Sequence, residues 1–232
     1  MQEDGAYAER YVAFMDVLGF SQLVQQADAD DGKRQVIRSI IWTLRETFVQ
    51  APPSTGFQFT QFYDCVVLSA DRTDLGLVAL CSGCVRLAGN LMADGILLRG
   101  GVAVGNLLHT RDKLFGTGLL KAYSGDASGS PPRISLCKDA QADAHRFNLT
   151  HLIRLDPMDL TAMVHTLWEY QNFDSSLDAF EDVELRGLMV ASHIRSNSTD
   201  MSLPASVRAK WRWLRFYWND VMQDHQYFSL VE

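Results

Sequence analysis

The 232-residue sequence is 47% hydrophobic, 21% charged and 10% aromatic, with no low-complexity tract, which fits one globular domain with an appendage. Its formal net charge of -7 excludes the basic stripe of a nucleic-acid-polymer binder, although bound cations would still admit a small anionic substrate. A polar, acidic start (MQEDGAYAER), an apolar stretch at residues 75–98 broken by Arg86, Asn90 and Asp94, and only four cysteines exclude a signal peptide, a membrane span and a disulfide framework; a cytoplasmic protein is expected.

In chain order, YVAFMDVLGF (residues 11–20) is an apolar run of strand length that contains Asp16 and ends at Gly19-Phe20. Gly19 opens a helical pattern, SQLVQQA. The acidic run Asp28, Asp30 and Asp31 reads as a solvated loop. Residues 34–49 form an amphipathic helix with Val36, Ile37, Ile40, Ile41 and Leu44 on its apolar side, and Pro52, Pro53, Ser54 and Gly56 punctuate. FQFTQFYDCVVLSA (residues 57–70) holds two β-rich runs with Asp64 near their junction, which predicts a tight hairpin with Asp64 at or beside its turn.

Residues 73–94 then read as a helix, and ILLRGGVAVGNLL (residues 96–108) as a strand whose glycine pair allows close backbone approach. Residues 116–126 form a short helix and PRISL a final strand. This order predicts an α+β sandwich, a mostly antiparallel sheet covered by helices on one face. From about Met158 the pattern turns helical. VRAKWRWLRFYWNDVM sets Val207, Trp211, Leu214 and Trp218 at three-to-four spacing, an amphipathic helix whose tryptophans read as packing residues.

Asp16 at a strand end and Asp64 at a neighbouring hairpin tip bring two carboxylates to one edge of the sheet. Like charges held close need cations or protons to neutralise them. Hard oxygen donors with open positions favour magnesium or manganese, and through them phosphates. Gly19 opens a helix three residues after Asp16, so bare backbone N–H groups there could receive phosphate oxygens. The pattern by itself also fits a strand-end residue or a helix cap.

Four segments, in order, carry a resemblance to the class III adenylyl and guanylyl cyclases. FMDVLGFSQL is similar to their first metal motif and FYDCVVLSA to their second metal-aspartate hairpin; LRGGVAVGNLL resembles their arginine-bearing strand and LFGTGLLKAYSGDAS the helix after it. LRGG paired with KAY and PPRI, and the later KWRWLRFYWN helix, resemble the bacterial Pycsar pyrimidine cyclases, which make cyclic UMP or cyclic CMP as an antiphage alarm read by a separate effector protein.

The resemblance implies a ferredoxin-like class III cyclase sandwich over residues 1–150 as the catalytic domain, with residues 151–232 a helical C-terminal extension packed on it. It implies two Mn2+ or Mg2+ ions held by Asp16, the Val17 carbonyl and Asp64. It further implies phosphate-binding amides around Gly19, Phe20 and Ser21, a triphosphate-binding Arg99, and a homodimer with two equivalent sites. This chain departs from the family where the transition-state asparagine and arginine fall, at Leu120 and Ser124. The purine-reading lysine and aspartate fall on Thr60 and on or near Lys113. Thr60, with Phe62 on the same strand face as Asp64, and the cation of Lys113 suit a pyrimidine, so UTP or CTP is the expected substrate, UTP favoured.

Other signals read as structural. Cys81 and Cys84 form a lone C-x-x-C inside a helix, without the four ligands of a zinc site. Cys65 and Cys137 read as core residues, and His145 and His151 as surface or capping residues. Two rivals to an active cyclase follow: a catalytically inactive nucleotide-binding relative, suggested by Leu120 and Ser124, and an interaction module built on the tryptophan helix.

Overall fold

The computed structural model describes residues 6–46, 52–125, 131–174 and 181–232. Strand β1 (Ala8–Val17) is hydrogen-bonded on both sides, antiparallel to β3 (Cys65–Asp71) and to β4 (Leu98–His109). Tyr11, Val12, Ala13 and Met15 are wholly buried, which is why β1 reads as a continuous apolar run rather than an alternation. Strand β2 (Gln58–Phe62) pairs with β3 through a two-residue turn at Tyr63 and Asp64. Two-residue β5 (Leu114–Phe115) pairs with the far end of β4. Beyond β4 come β6 (Ile134–Leu136), which pairs with it in parallel, then β8 (Ala162–Val164) and β7 (Ile153–Leu155), giving the order β2-β3-β1-β4-β6-β8-β7.

Helices α1 (Phe20–Ala27) and α2 (Asp31–Glu46) follow β1, and α3 (Asp74–Ala93) follows β3. Thr73 caps α3 by accepting from the Gly76 N–H at 3.0 Å. By length and composition α3 could cross a membrane, but Leu77, Leu80, Leu87 and Leu91 are buried in the main core beneath the sheet. That core continues into α5 (Lys138–Arg146), α6 (Trp168–Gln171), α7 (Glu181–Thr199) and α8 (Ala205–Val221). Helix α4 (Thr117–Ser124) lies on the other face, over a small cluster of Val12, Phe14, Val67, Ala103 and Leu107. Gly105 lets it in: a Cβ there would come within 2.7 Å of the Gly118 Cα.

Several sequence expectations change. Helices cover both faces of the sheet, not one. The chain after Met158 is not simply helical, because β8 lies there; with β7, just before Met158, it extends the sheet past residue 150, and three-residue strands are too short to display an alternation. The acidic run is only partly loop, because Asp31 begins α2 and Asp30 caps it, accepting from the Gly32 N–H at 2.8 Å. Within α2, Ile40 and Leu44 are buried but Val36 is 41% exposed, and the expected end of the helix, residues 47–49, lies outside the described residues. Cys81 and Cys84 are buried among leucines, and burial pushes the Cys81 thiol up to about 12, so both are inert core residues. Trp213 and Trp218 are packed, their indole N–H groups donating to Asp156 and to the Ser229 carbonyl.

Candidate active site

The edge of the sheet where β1 ends gathers most of the residues singled out from the sequence. Asp16 is the penultimate residue of β1 and faces Cys65 on one side and Arg99 on the other. The Val17 N–H donates to the Asp64 carbonyl at 3.1 Å, which ties the hairpin turn to the end of β1. Tyr63, first residue of that turn, has φ 55°, a left-handed conformation that costs a bulky residue about 1–3 kcal/mol. Its ring meets Phe20 edge-on at 5.1 Å, which holds the turn against the start of α1.

Gly19 has φ 81°, while a Cβ there would meet nothing within 4 Å; glycine is needed for the backbone angle, not for space. The left-handed turn lets α1 start immediately after β1. No side chain caps α1, and its first internal bond runs from the Leu23 N–H to Gly19, so the N–H groups of Phe20, Ser21 and Gln22 have no partner within the helix. The positive end of the helix therefore opens beside Asp16.

A cavity of about 650 Å³ joins these parts. Asp16, Val17, Asp64 and Arg99 line it, as do Gly19, Phe20 and Ser21. Arg99 lies on Asp16, with Nη2 3.2 Å from Oδ2 and Nε 3.3 Å from Oδ1, both side chains mostly shielded from solvent. The guanidinium supplies the counter-charge of Asp16.

Thr60, Phe62 and Lys113 do not line this cavity. Thr60 and Phe62 belong to the α4 side of the sheet, where Phe62 packs on Phe14 at 6.4 Å. The Thr60 hydroxyl meets His109 Nε2 at 2.9 Å, and His109 Nδ1 meets the Ser69 hydroxyl at 2.9 Å. Burial, with Arg10 nearby, holds His109 down at about 4, so it is neutral. Lys113 sits at the β4–β5 turn, where its backbone is tied to Thr110. On α4, Leu120 is 67% exposed and the Ser124 hydroxyl donates back to the Leu120 carbonyl.

Sequence reasoning missed the far wall of the cavity. Asp94 and Gly95 at the end of α3, and Ser206, Val207, Lys210 and Trp211 on α8, all border it. Burial raises the Asp94 carboxyl above its ordinary range, with His193 and Thr43 opposing.

Among the described residues no three or more His, Cys, Asp or Glu side chains converge as a metal cluster. The two carboxylates nonetheless fit magnesium or manganese, which commonly bind through one or two carboxylates with phosphate oxygens and water completing the shell. Zinc or iron would call for a set of nitrogen or sulfur donors, whereas at this edge, among the described residues, a single thiol, Cys65, stands by Asp64 and donates to its Oδ1 at 3.4 Å.

No protein-family model and no curated protein matches the chain. Among solved structures it is similar to an adenylate/guanylate cyclase/hydrolase from Silicibacter pomeroyi, at 14% identity over 68% of this chain and 94% of that one, TM-score 0.42. It is also similar to a bacterial light-regulated adenylyl cyclase, at 14% identity over 83% of this chain and 59% of that one, TM-score 0.41.

Proposed function

We propose that the protein is a nucleotide cyclase that converts a pyrimidine nucleoside triphosphate, UTP ahead of CTP, to its 3',5'-cyclic monophosphate and pyrophosphate. The observation that carries this reading is the single cavity holding Asp16, Asp64, Arg99 and the uncapped start of α1. Asp16 and Asp64 would hold two Mg2+ or Mn2+ ions, with the Val17 carbonyl beside them. Such ions, when bound, acidify the ribose 3'-hydroxyl and neutralise charge on the departing pyrophosphate.

The protein's own share is placement and charge. The free N–H groups of Phe20, Ser21 and Gln22 receive phosphate oxygens at the positive end of α1. Arg99 exchanges Asp16 for the triphosphate when cations occupy the carboxylates, because a guanidinium is repelled by a metal and attracted to phosphate. No dedicated protein base is assigned, since positioning and electrostatics supply most of the acceleration in phosphoryl transfer.

The pyrimidine preference draws on Thr60, Phe62 and Lys113, which the cavity of one chain does not include, so it goes with a homodimer in which a second copy meets the α4 side of the sheet. Phe62, Leu120 and Tyr123, 45% to 67% exposed, give that side an apolar character suited to such a contact. A second reading, an inactive nucleotide-binding relative, is favoured by Leu120 and Ser124, neither of which can stabilise charge on a reacting phosphate. The antiphage role and a separate effector for the cyclic product belong to the Pycsar resemblance. Pyrophosphate release from each of the four triphosphates with manganese tests the proposal. Release from UTP and CTP supports it; binding without release favours the inactive relative.

A further inference from the structure

We infer that Lys210 on α8 is a substrate-binding residue that takes the terminal phosphates of the triphosphate, so that the C-terminal helices complete the site. The inference rests on the nucleotide reading above and adds to it a residue of the tryptophan-rich helix, far along the chain from Asp16, Asp64 and Arg99.

The cavity is continuous from Asp16, Asp64 and Arg99, past the first turn of α1, to Pro204, Ser206, Val207, Lys210 and Trp211 on α8. Its volume of about 650 Å³ lies within the range of small-molecule sites. Three lining residues are carboxylates, Asp16, Asp64 and Asp94, and two are cations, Arg99 and Lys210. Arg99 stands on Asp16 at 3.2 Å. Lys210 is half-buried and makes no hydrogen bond or ion pair among the described residues. An ammonium that borders a cavity with no carboxylate paired to it is open to donating a charge-assisted hydrogen bond to a phosphate oxygen.

The scaffold suits this role. Trp211, next to Lys210, is 3% exposed, and its indole lies against His193 of α7 at 6.4 Å. Leu214 and Trp218, further along the same helix face, are buried in the main core. The backbone beneath Lys210 is therefore fixed while its flexible stem moves a compact charge, the behaviour of lysine at a terminal phosphate. With Arg99 and the α1 N–H groups on one wall and Lys210 on another, a chain of phosphates would meet donors from both sides.

The test uses the full chain, inorganic tripolyphosphate as probe and calorimetry in manganese. Wild type should bind the probe, Lys210→Met should weaken it about tenfold or more, Lys210→Glu should weaken it further, and Lys210→Arg should recover most of the affinity. With UTP, Lys210→Met should raise KM more than it lowers kcat. Equal affinity in wild type and in a folded Lys210→Met or Lys210→Glu variant overturns this inference alone, leaving a solvated helix-edge lysine. No binding by wild type overturns the nucleotide reading together with it.

Discussion

Asp16 and Arg99 stand directly across from each other on β1 and β4, and the guanidinium meets both carboxylate oxygens, at 3.3 and 3.2 Å. A cation arriving at Asp16 competes with this partner, and the displaced guanidinium can turn to an anion. Removing it should separate two affinities. In Arg99→Met, Mn2+ should bind the free protein severalfold more tightly, because competition for Asp16 is gone, while tripolyphosphate binding weakens about tenfold. Calorimetry with each ligand reads both. Unchanged or weaker Mn2+ binding would show that the ion pair does not compete with the metal.

Asp16→Asn and Asp64→Asn should each lower cyclisation at least about a hundredfold with the fold preserved, since each removes one of the two carboxylates proposed to hold the ions. Neither side chain belongs to the apolar core, so circular dichroism spectra should overlay those of wild type. Full activity of either variant in manganese would remove the two-ion assignment.

How far the sequence discloses the site follows from how local each part is. Asp16, Gly19 and the turn at Asp64 are legible because strand, turn and helix signals lie within a few residues of one another. Asp94 and Lys210 are not, because 116 positions separate them in the chain and nothing in the spacing of either points to the end of β1. Lys210 also sits in an amphipathic helix whose tryptophans supply the dominant pattern. Strands β7 and β8 escape notice because three residues cannot show a period of two. The placement of α4 on the second face turns on a contact between Gly105 and Gly118, a tertiary fact that a glycine in a strand only hints at.

The exposed apolar residues on the α4 side predict self-association. Light scattering should give a dimer, and Tyr123→Glu combined with Leu120→Glu should give a folded monomer with strongly reduced turnover. A wild-type monomer with full activity at low concentration would contradict the shared site.

Stability should fall with acid in a window set by two buried histidines. His109 and His165 are both lowered to about 4, chiefly by burial. The unfolded chain takes up protons near pH 6.5, whereas the folded one resists until about 4. Their contribution is thus complete above about pH 6.5 and is lost as pH falls toward 4, as much as roughly 3 kcal/mol per histidine. Urea midpoints at pH 7, 5.5 and 4.5 should decline in that order, and less steeply in His165→Gln. A flat profile would mean that neither histidine is held neutral by the fold.

The edge formed by Asp16 and Asp64 is proposed to cyclise a nucleotide, and identifying the products decides whether it does. Purified protein is incubated with manganese and each of the four triphosphates, and the products are resolved by mass spectrometry and phosphorus NMR. The predicted result is a 3',5'-cyclic pyrimidine monophosphate with one equivalent of pyrophosphate, from UTP faster than from CTP, and absent in Asp16→Asn. Turnover of ATP or GTP equal to or above that of UTP and CTP would contradict the pyrimidine assignment, and no cyclic product from any triphosphate would contradict the claim itself.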